Sequence, residues 1–376
     1  MPKQARKETK VIILVVLALG AALTGWETSA VITDVSRFPQ RYPVDAKISV
    51  EVLPVQPEMA SCISSGCKNG REHLGNWDEK VWHMFEQRSQ MKGEESGDSS
   101  RAEAESDFYF LFYGHYCEMK YHRCLPLGAA PGDGFSYARK YASSTFTNNV
   151  PAHRTVVTMS HDFGACYFFE HGIIKDVVER GNGTEEIDFL TRAIVLAPFG
   201  DHDTSCYNAN TDVVVPPYSP VTNTILLKYF GNMSNVPPTS SRQFLFSFSG
   251  TVEFDRRLPG IRSQLTNYNW SKLDDLILPQ RGGVRTLRGR NYAGMLRNSQ
   301  FCLIPPGVVG WSPRLCDAIY AGCIPVLISH DTVFPFERLI DYSKFSIRLD
   351  SLIVVKDPSI VEKKLRSISN KEKDSL

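Results

Sequence analysis

Short, continuously apolar runs of strand length alternate along this chain with stretches of helical pattern, and this alternation constrains the fold more than any other feature. A strand that is apolar along its whole length is buried on both faces, which is typical of a parallel sheet covered by helices. The alternation indicates successive βαβ units, so we predict an α/β fold. The predicted strands span residues 108–113, 155–160, 193–198, 211–215, 242–250, 301–304 and 324–329. The predicted helices span residues 172–179, 185–192, 291–298 and 313–320.

A proline-rich segment divides this alternation into two parts. The chain has 376 residues, which is too long for one ordinary core and suits two domains. The clearest change of composition lies at residues 216–241, which contain five prolines. We therefore predict an N-terminal Rossmann-like domain at 71–220, a hinge at 221–241 and a C-terminal Rossmann-like domain at 242–350. Residues 351–376 are assigned to a C-terminal helix or tail.

The N-terminus has the pattern of a secretory segment. Four basic residues precede an uncharged apolar run at residues 11–26, which Glu27 ends. Basic residues ahead of such a run place the N-terminus in the cytosol and the following chain across the membrane. The run is shorter than the roughly 20 residues of a usual span, so a retained signal anchor at 11–27 and a cleaved signal peptide both stay open. Residues 1–10 are then a cytoplasmic tail and 28–70 a stem, and the main body is lumenal or extracellular in either case.

The nine cysteines fit an oxidising compartment without the density of a disulfide scaffold. Spacing suggests three pairs, although it cannot establish their connectivity: Cys62 with Cys67, Cys117 with Cys124, and Cys166 with Cys206. Buried small hydrophobic residues are expected instead at Cys302, Cys316 and Cys323, because these lie in apolar patterns. A secretory route also agrees with the glycosylation sequons at Asn182, Asn232 and Asn269.

Composition and motifs argue against several classes of function. The formal net charge is +1 and no basic stripe is interleaved with aromatic residues, which argues against nucleic-acid binding by bulk electrostatics. No GxxxxGK[ST] loop occurs, and the glycine loop near residue 307 lacks the GxGxxG pattern. A redox or ATPase function therefore has no support.

The stretch FCLIPPGVVGWSPRLCDAIYAGCIPVLIS, residues 301–329, predicts a strand, a glycine loop, a helix and a second strand. Ser312 is a good N-cap ahead of Pro313 at the first helical position. A helix N-terminus attracts anions, and Arg314 in the first turn can donate to a phosphate. Asp317 lies about one turn further on and suits a pair of sugar hydroxyls. Two alternatives stay open: the loop is purely structural, or Arg314 pairs with Asp317.

Several segments, taken in order, resemble the exostosin-like glycosyltransferases, family 47 of the glycosyltransferases. The signature region is RNSQFCLIPPGVVGWSPRLCDAIYAGCIPVLISHDTVFPFERLIDYSKFSIRL. AESDFYFLFY, VTMSHDFGACYFFE, NTDVVVPPYSP and RQFLFSFSG followed by GIRSQL are also similar to segments of that family. The resemblance implies a GT-B fold, in which two Rossmann-like domains face a cleft and the C-terminal domain holds most of the nucleotide-sugar donor. It further implies inverting transfer, without a required metal or cofactor, by type II membrane proteins of the Golgi.

The resemblance also assigns a donor site. Arg314 and the helix start at Ser312, with Gly310 in the loop before it, are expected to face the diphosphate. Asp317 stands where the family usually has glutamate, as the carboxylate that binds ribose. A second phosphate contact is expected at Arg262 in GIRSQL, and a donor-sugar contact or an ordinary loop aspartate at Asp331.

An inverting transferase needs a base that takes the proton of the acceptor hydroxyl. The pair at the predicted strand end, His161 and Asp162, is the candidate, with Asp162 preferred; the alternative is that the aspartate only caps a turn. Asp201 and Asp203 form a DxD sequence, which holds Mn²⁺ in metal-dependent transferases of another fold. A polar loop is the favoured interpretation of that sequence.

The leading hypothesis is therefore an inverting Golgi glycosyltransferase that uses a nucleotide sugar, more readily a UDP-sugar than a GDP-sugar, to extend a glycan or polysaccharide. The alternative is a catalytically weak family member that serves as the partner subunit of a glycosyltransferase complex. A hetero-oligomer with other glycosyltransferases stays open under both hypotheses.

Overall fold

The computed structural model describes residues 50–53, 108–111, 139–141, 150–159, 164, 166, 183–204, 207–216, 237–252, 260–270, 276–277, 289–307 and 309–376. The expected cytoplasmic tail and signal anchor lie outside these residues, as does most of the expected stem. Among the helices that the structure describes, none has both the length and the apolar character that a bilayer crossing requires.

The chain divides into two compact units. The first comprises Met1–Pro198 and Thr204–Tyr218, and the second comprises Phe199–Asp203 and Ser219–Leu376. Phe199–Asp203 therefore belongs to the second unit, although it directly follows a strand of the first.

The first unit contains a five-stranded sheet whose strand order follows the chain. Its strands are β1 (Val50–Val52), β2 (Phe108–Leu111), β3 (Thr155–Thr158), β4 (Ile194–Ala197) and β5 (Val213–Val214), and every neighbouring pair is parallel. Helix α1 (Gly183–Arg192) precedes β4. β2 and β3 are buried along their whole length, as expected for strands covered on both faces. The four strands predicted in this unit are confirmed.

The second unit contains another five-stranded parallel sheet, in the order β10-β9-β8-β6-β7. Its strands are β6 (Phe244–Ser247), β7 (Leu276–Ile277), β8 (Ser299–Ile304), β9 (Ile324–Ile328) and β10 (Ile347–Leu349). Its helices are α2 (Ile261–Asn267), α3 (Gly289–Asn298), α4 (Arg314–Tyr320), α5 (Ser351–Lys356), α6 (Ser359–Ser367) and α7 (Asn370–Ser375). The chain runs outward from β6 in both directions, so a topological switch point lies between β6 and β8.

Two cores cover the two faces of this second sheet, because successive side chains of a strand point to opposite faces. Phe301 and Leu303 of β8 pack in one core with residues of α2, α5 and α6. Cys302 and Ile304 pack in the other with residues of α3 and α4. The helices α3 and α4 therefore share one face of the sheet, and α4 starts from the loop that follows β8.

The C-terminal 26 residues, which the sequence assigns to a helix or tail, form three helices of the second unit. Val354, Val361 and Leu365 are fully buried in its core. Asp374 on α7 accepts hydrogen bonds from the backbone N–H and the hydroxyl of Ser240, at 2.9 and 2.7 Å. These helices therefore contribute core residues to the second unit.

Cys302 and Cys323 are buried in the core as expected, but the expectation that they are unpaired small residues is wrong. The two cysteines form a disulfide, with Cα atoms 5.9 Å apart. β8 and β9 are neighbours, and Cys323 immediately precedes β9, so the two side chains meet between adjacent parallel strands. Cys316 is a free, half-buried thiol. Cys166 is also disulfide-bonded, whereas Cys206 and the other cysteines paired by spacing lie outside the described residues.

Candidate active site

Three loops follow the carboxyl ends of the central strands of the second sheet. Their described residues are 248–252 after β6, 305–307 and 309–313 after β8, and 329–333 after β9. In open α/β sheets, ligands bind outside the carboxyl ends of the strands at the switch point. The residues expected to bind the donor lie on these loops or on the helices that flank them.

Arg262 on α2 joins the first two loops. Its Nε donates to the carbonyl oxygen of Pro306 at 2.8 Å, Nη1 to that of Thr251 at 2.8 Å, and Nη2 to that of Pro305 at 3.4 Å. A Cβ at Gly307 would collide with this guanidinium, so the close approach requires glycine. Arg262 thus lies at the switch point, where three of its N–H groups bind backbone carbonyls and hold the two loops together. Its expected contact with a phosphate stays a prediction.

Arg314, the first residue of α4, also reaches across the switch point. Its Nε donates to the carbonyl oxygen of Ser249, and its Nη1 donates to the Ser312 hydroxyl at 2.9 Å. Neither bond uses Nη2, which lies against the backbone of Gly250. Burial lowers the pKa of Arg314, although an arginine remains protonated at neutral pH. Both Arg314 and Arg262 stand over the Phe248 ring, 5.5 and 5.6 Å from its centroid.

The start of α4 agrees with the sequence prediction to within one residue. The Ser312 carbonyl accepts a hydrogen bond from the backbone N–H of Leu315 at 3.1 Å, and its hydroxyl accepts one from that of Arg314 at 3.4 Å. Pro313 has helical backbone angles just before the first residue of the helix. Gly310, two residues before Ser312, leaves no room for a side chain, because a Cβ there would collide with Thr332 of the third loop.

Asp317 has a partner that the sequence analysis missed. Its carboxylate accepts a hydrogen bond of 2.9 Å from the hydroxyl of Tyr292 on α3. The two residues are 3 % and 7 % exposed. Burial, and then the charge of Asp317, hold the pKa of Tyr292 well above its usual range, while nearby Arg314 opposes that shift. Tyr292 lies within the predicted helix 291–298, but nothing in the local pattern marks it, because its partner is 25 residues away.

Asp331 lies just after β9, beside a histidine that the sequence analysis did not consider. The Asp331 carboxylate is 3.6 Å from Nε2 of His330, and Nδ1 of the same ring is 3.1 Å from the carboxylate of Asp350. The backbone carbonyl of Asp331 accepts a hydrogen bond from the backbone N–H of His202 at 3.0 Å. Asp331 is half-buried, so a side chain of the kind that can contact a sugar stands at this strand end.

The DxD sequence has a structural role in its own loop. Asp201 is 1 % exposed and accepts a hydrogen bond of 2.9 Å from the backbone N–H of Asp203, which is itself exposed. Asp201 also forms an isolated antiparallel bridge with Thr332. Within the described part of the chain, no group of three or more His, Cys, Asp or Glu side chains is arranged to hold a metal ion. His161 and Asp162 lie outside the described residues, so the choice of catalytic base stays a prediction.

Comparison with known proteins identifies the class to which this fold and site belong. The profile of the exostosin GT47 domain matches residues 168–364, which is more than half of the chain. The chain belongs to the exostosin GT47 family.

The chain shares about a quarter of its aligned residues with several named relatives. A probable glucuronosyltransferase of Oryza sativa subsp. japonica is 27% identical over 284 residues, which are 71% of this chain and 60% of that protein. Probable glucuronosyltransferase 47 A of Physcomitrium patens is 27% identical over 219 residues, 56% of this chain and 43% of that protein. A probable β-1,4-xylosyltransferase of Arabidopsis thaliana is 26% identical over 226 residues, 56% of this chain and 49% of that protein. The chain thus spans about half the length of the curated relatives it matches.

Proposed function

We propose that this chain is an inverting glycosyltransferase that moves a sugar from a nucleotide-sugar donor, a UDP-sugar rather than a GDP-sugar, to a glycan or polysaccharide acceptor. Each of its two units is a Rossmann-like domain of the kind found in GT-B enzymes, and the second unit holds the donor. The protein works without a metal cofactor, as a type II membrane protein of the Golgi. Membership of the exostosin GT47 family and the names of the relatives support the transferase class.

The position of the Arg314 guanidinium is the observation that supports this proposal. Its guanidinium is held at the switch point by Ser249 and Ser312, and its Nη2 lies at the glycine that follows β6. A departing nucleoside diphosphate gains negative charge as the sugar leaves. A cation that is already oriented and partly removed from water stabilises that charge without reorganising during the reaction. Arg262 supports the same site indirectly, since it keeps the loops after β6 and β8 together.

Binding of the nucleotide product is the first test of this proposal. The full chain is screened by thermal shift against UDP, GDP, CMP and ADP, with and without EDTA, because only a ligand of the folded state raises the melting temperature. We expect a shift with UDP that survives EDTA and is lost in Arg314→Ala. Arg348→Ala is the matched control, since Arg348 also stands over a phenylalanine ring, Phe334, but is exposed and pairs with Glu337. A shift that both variants retain, or no shift with any nucleotide, would contradict the proposal.

A second assay asks which sugar is transferred. The purified chain is incubated with UDP-glucuronate and UDP-xylose, the donors suggested by the names of the relatives. Release of UDP is measured with and without oligosaccharide acceptors, and inversion is read from the anomeric configuration of the product. A product with the configuration of the donor would refute the inverting mechanism. Strict dependence on added Mn²⁺ would instead favour the metal site at Asp201 and Asp203.

A catalytically weak partner subunit is the second candidate function, and one observation favours it. Three N–H groups of Arg262 already donate hydrogen bonds to backbone carbonyls, and the Asp317 carboxylate already accepts one from Tyr292. Under this candidate these contacts only stabilise the fold, and neither side chain contacts a nucleotide sugar. This candidate predicts no UDP release from any donor by the chain alone, together with co-purification with a second glycosyltransferase. Turnover by the isolated chain would eliminate it.

A further inference from the structure

Tyr292 and Asp317 are both buried in the second unit, where their neighbours restrict the positions of the two side chains. The tyrosine ring packs in the same apolar cluster as Leu315 and Ala318 of α4. Its hydroxyl reaches across from α3 to the carboxylate of Asp317 at 2.9 Å. Because both side chains are almost fully buried, neither can choose another rotamer without disturbing the packing around it.

The raised pKa of the Tyr292 phenol shows which of the two groups donates the hydrogen bond. The pKa of the Tyr292 phenol is raised well above its usual range by burial and by the charge of Asp317, so the phenol keeps its proton and acts as the donor. The carboxylate is the acceptor, and the phenol occupies one of its roughly four lone-pair positions. The guanidinium of Arg314 lies close enough to interact electrostatically with both groups.

The position of the pair relative to Arg314 suits a nucleotide. Asp317 follows Arg314 by three residues on α4, a rise of about 4.5 Å along the helix axis. A ribose is joined to the diphosphate through one methylene group, so its hydroxyls can lie at this distance from a phosphate bound at Arg314. The side chain of an aspartate is short, so what its carboxylate can reach depends on where that carboxylate is held.

From these contacts we propose that Tyr292 is a positioning residue, whose hydroxyl holds the Asp317 carboxylate in the orientation that recognises the ribose hydroxyls of the donor. This inference rests on the proposed function and goes beyond it. It predicts that discrimination between ribonucleotides and deoxyribonucleotides depends on a side chain that does not touch the ligand. A hydroxyl that only stabilises the fold would not affect that discrimination.

The test compares the affinities of the full chain for UDP and 2′-deoxy-UDP by titration calorimetry, with GDP and 2′-deoxy-GDP as the parallel pair. Hydrogen bonds to a charged group are strong, so we expect the wild-type chain to prefer the ribonucleotide by about tenfold or more. Tyr292→Phe keeps the ring and its packing but removes the donor, and we expect the preference to fall to about threefold or less. Tyr342→Phe is the matched control: Tyr342 packs against the same cluster, and its hydroxyl donates to the Pro335 carbonyl instead. This control should keep the wild-type preference.

Each outcome decides the inference. An unchanged preference in Tyr292→Phe, or a wild-type chain that binds UDP and 2′-deoxy-UDP equally, overturns it while leaving the proposed function intact. If Tyr292→Phe does not fold, Asp317→Asn decides instead: this change keeps the size of the side chain and should lose the preference, and its retention would overturn the inference. Failure of the wild-type chain to bind any nucleotide would refute the proposed function, and this inference with it.

Discussion

Nε of Arg262 donates to the carbonyl oxygen of Pro306 at 2.8 Å, and this bond joins two segments that are 44 residues apart in the sequence. Together with the bond from Nη1 to Thr251, it ties the loop after β6 to the loop after β8. The two strands are neighbours in the sheet, so the loops that follow them leave the same edge side by side. A single buried guanidinium therefore fixes the relative position of both loops at the switch point.

We expect Arg262→Lys to destabilise the second unit although it conserves the charge. A lysine ammonium cannot reproduce the forked geometry of the guanidinium, so buried carbonyls lose their donors. The expected loss is about 2–4 kcal/mol in the free energy of unfolding, measured by urea denaturation. Arg348→Lys, at an exposed position, should change the same quantity by less than about 0.5 kcal/mol. Equal stability of the two variants would show that the three carbonyl bonds contribute little.

Two glycines should respond to alanine in opposite directions. At Gly310 a Cβ would collide with the stiff, β-branched side chain of Thr332, so Gly310→Ala must displace the loop after β9 or the loop after β8. We expect a loss of about 1–3 kcal/mol and weaker UDP binding, measured by denaturation and by thermal shift. Gly294 lies inside α3, where an added Cβ would meet no atom within 4 Å other than those of its own helix and chain neighbours. Gly294→Ala should therefore stabilise the protein by about 0.5–1 kcal/mol, and a loss at Gly294 comparable to that at Gly310 would contradict this account.

The Cys302–Cys323 disulfide should survive denaturation without reductant. Unfolding the protein in the presence of iodoacetamide, followed by peptide mass spectrometry, is expected to label Cys316 but neither of the two bonded cysteines. Replacing both bonded cysteines with alanine opens a link between positions 21 residues apart in the sequence. This change should lower the free energy of unfolding by about 3 kcal/mol. Labelling of Cys302 in the unreduced protein would disprove the pairing.

The free thiol of Cys316 should make the protein less stable at alkaline pH. Burial, with a smaller contribution from the charge of Asp317, raises the pKa of this thiol to about 12, whereas an unfolded cysteine has a pKa of about 8.5. Between these two values the unfolded chain releases the thiol proton and the folded protein retains it. The stabilising contribution is therefore complete below about pH 8.5 and is lost as the pH rises towards 12.

Urea denaturation of the wild-type chain and of Cys316→Ala across that pH window isolates this effect. We expect the stability of the variant to fall less steeply with pH, because the other groups that titrate at alkaline pH are common to both proteins. Parallel curves would contradict the shifted pKa. In the native protein, alkylation of Cys316 at pH 8 should also be much slower than that of a thiol exposed to water, since only the thiolate reacts.

The sequence alone determined the elements whose signal is local. The apolar runs predicted β2, β3, β4, β6, β8 and β9, because a strand buried on both faces must be apolar along its length. The start of α4 was predicted to within one residue, since the Ser-Pro pair acts on the backbone beside it. β1, β7 and β10 were missed. β1 lies in the segment expected to be a stem and has a charged residue, Glu51, at its centre. β7 has only two residues and β10 includes the exposed Arg348, so none of the three leaves a long continuous apolar run.

Only the tertiary structure decided which distant residues meet. The disulfide between Cys302 and Cys323 depends on the pairing of β8 with β9, and the bond from Tyr292 to Asp317 depends on two helices sharing one face of the sheet. The family resemblance proposed Arg262 as a phosphate contact, but only the fold shows its guanidinium bound to the carbonyls of two loops. These contacts join segments that are separate in the sequence. They follow from strand order and packing, which no local pattern of residues specifies.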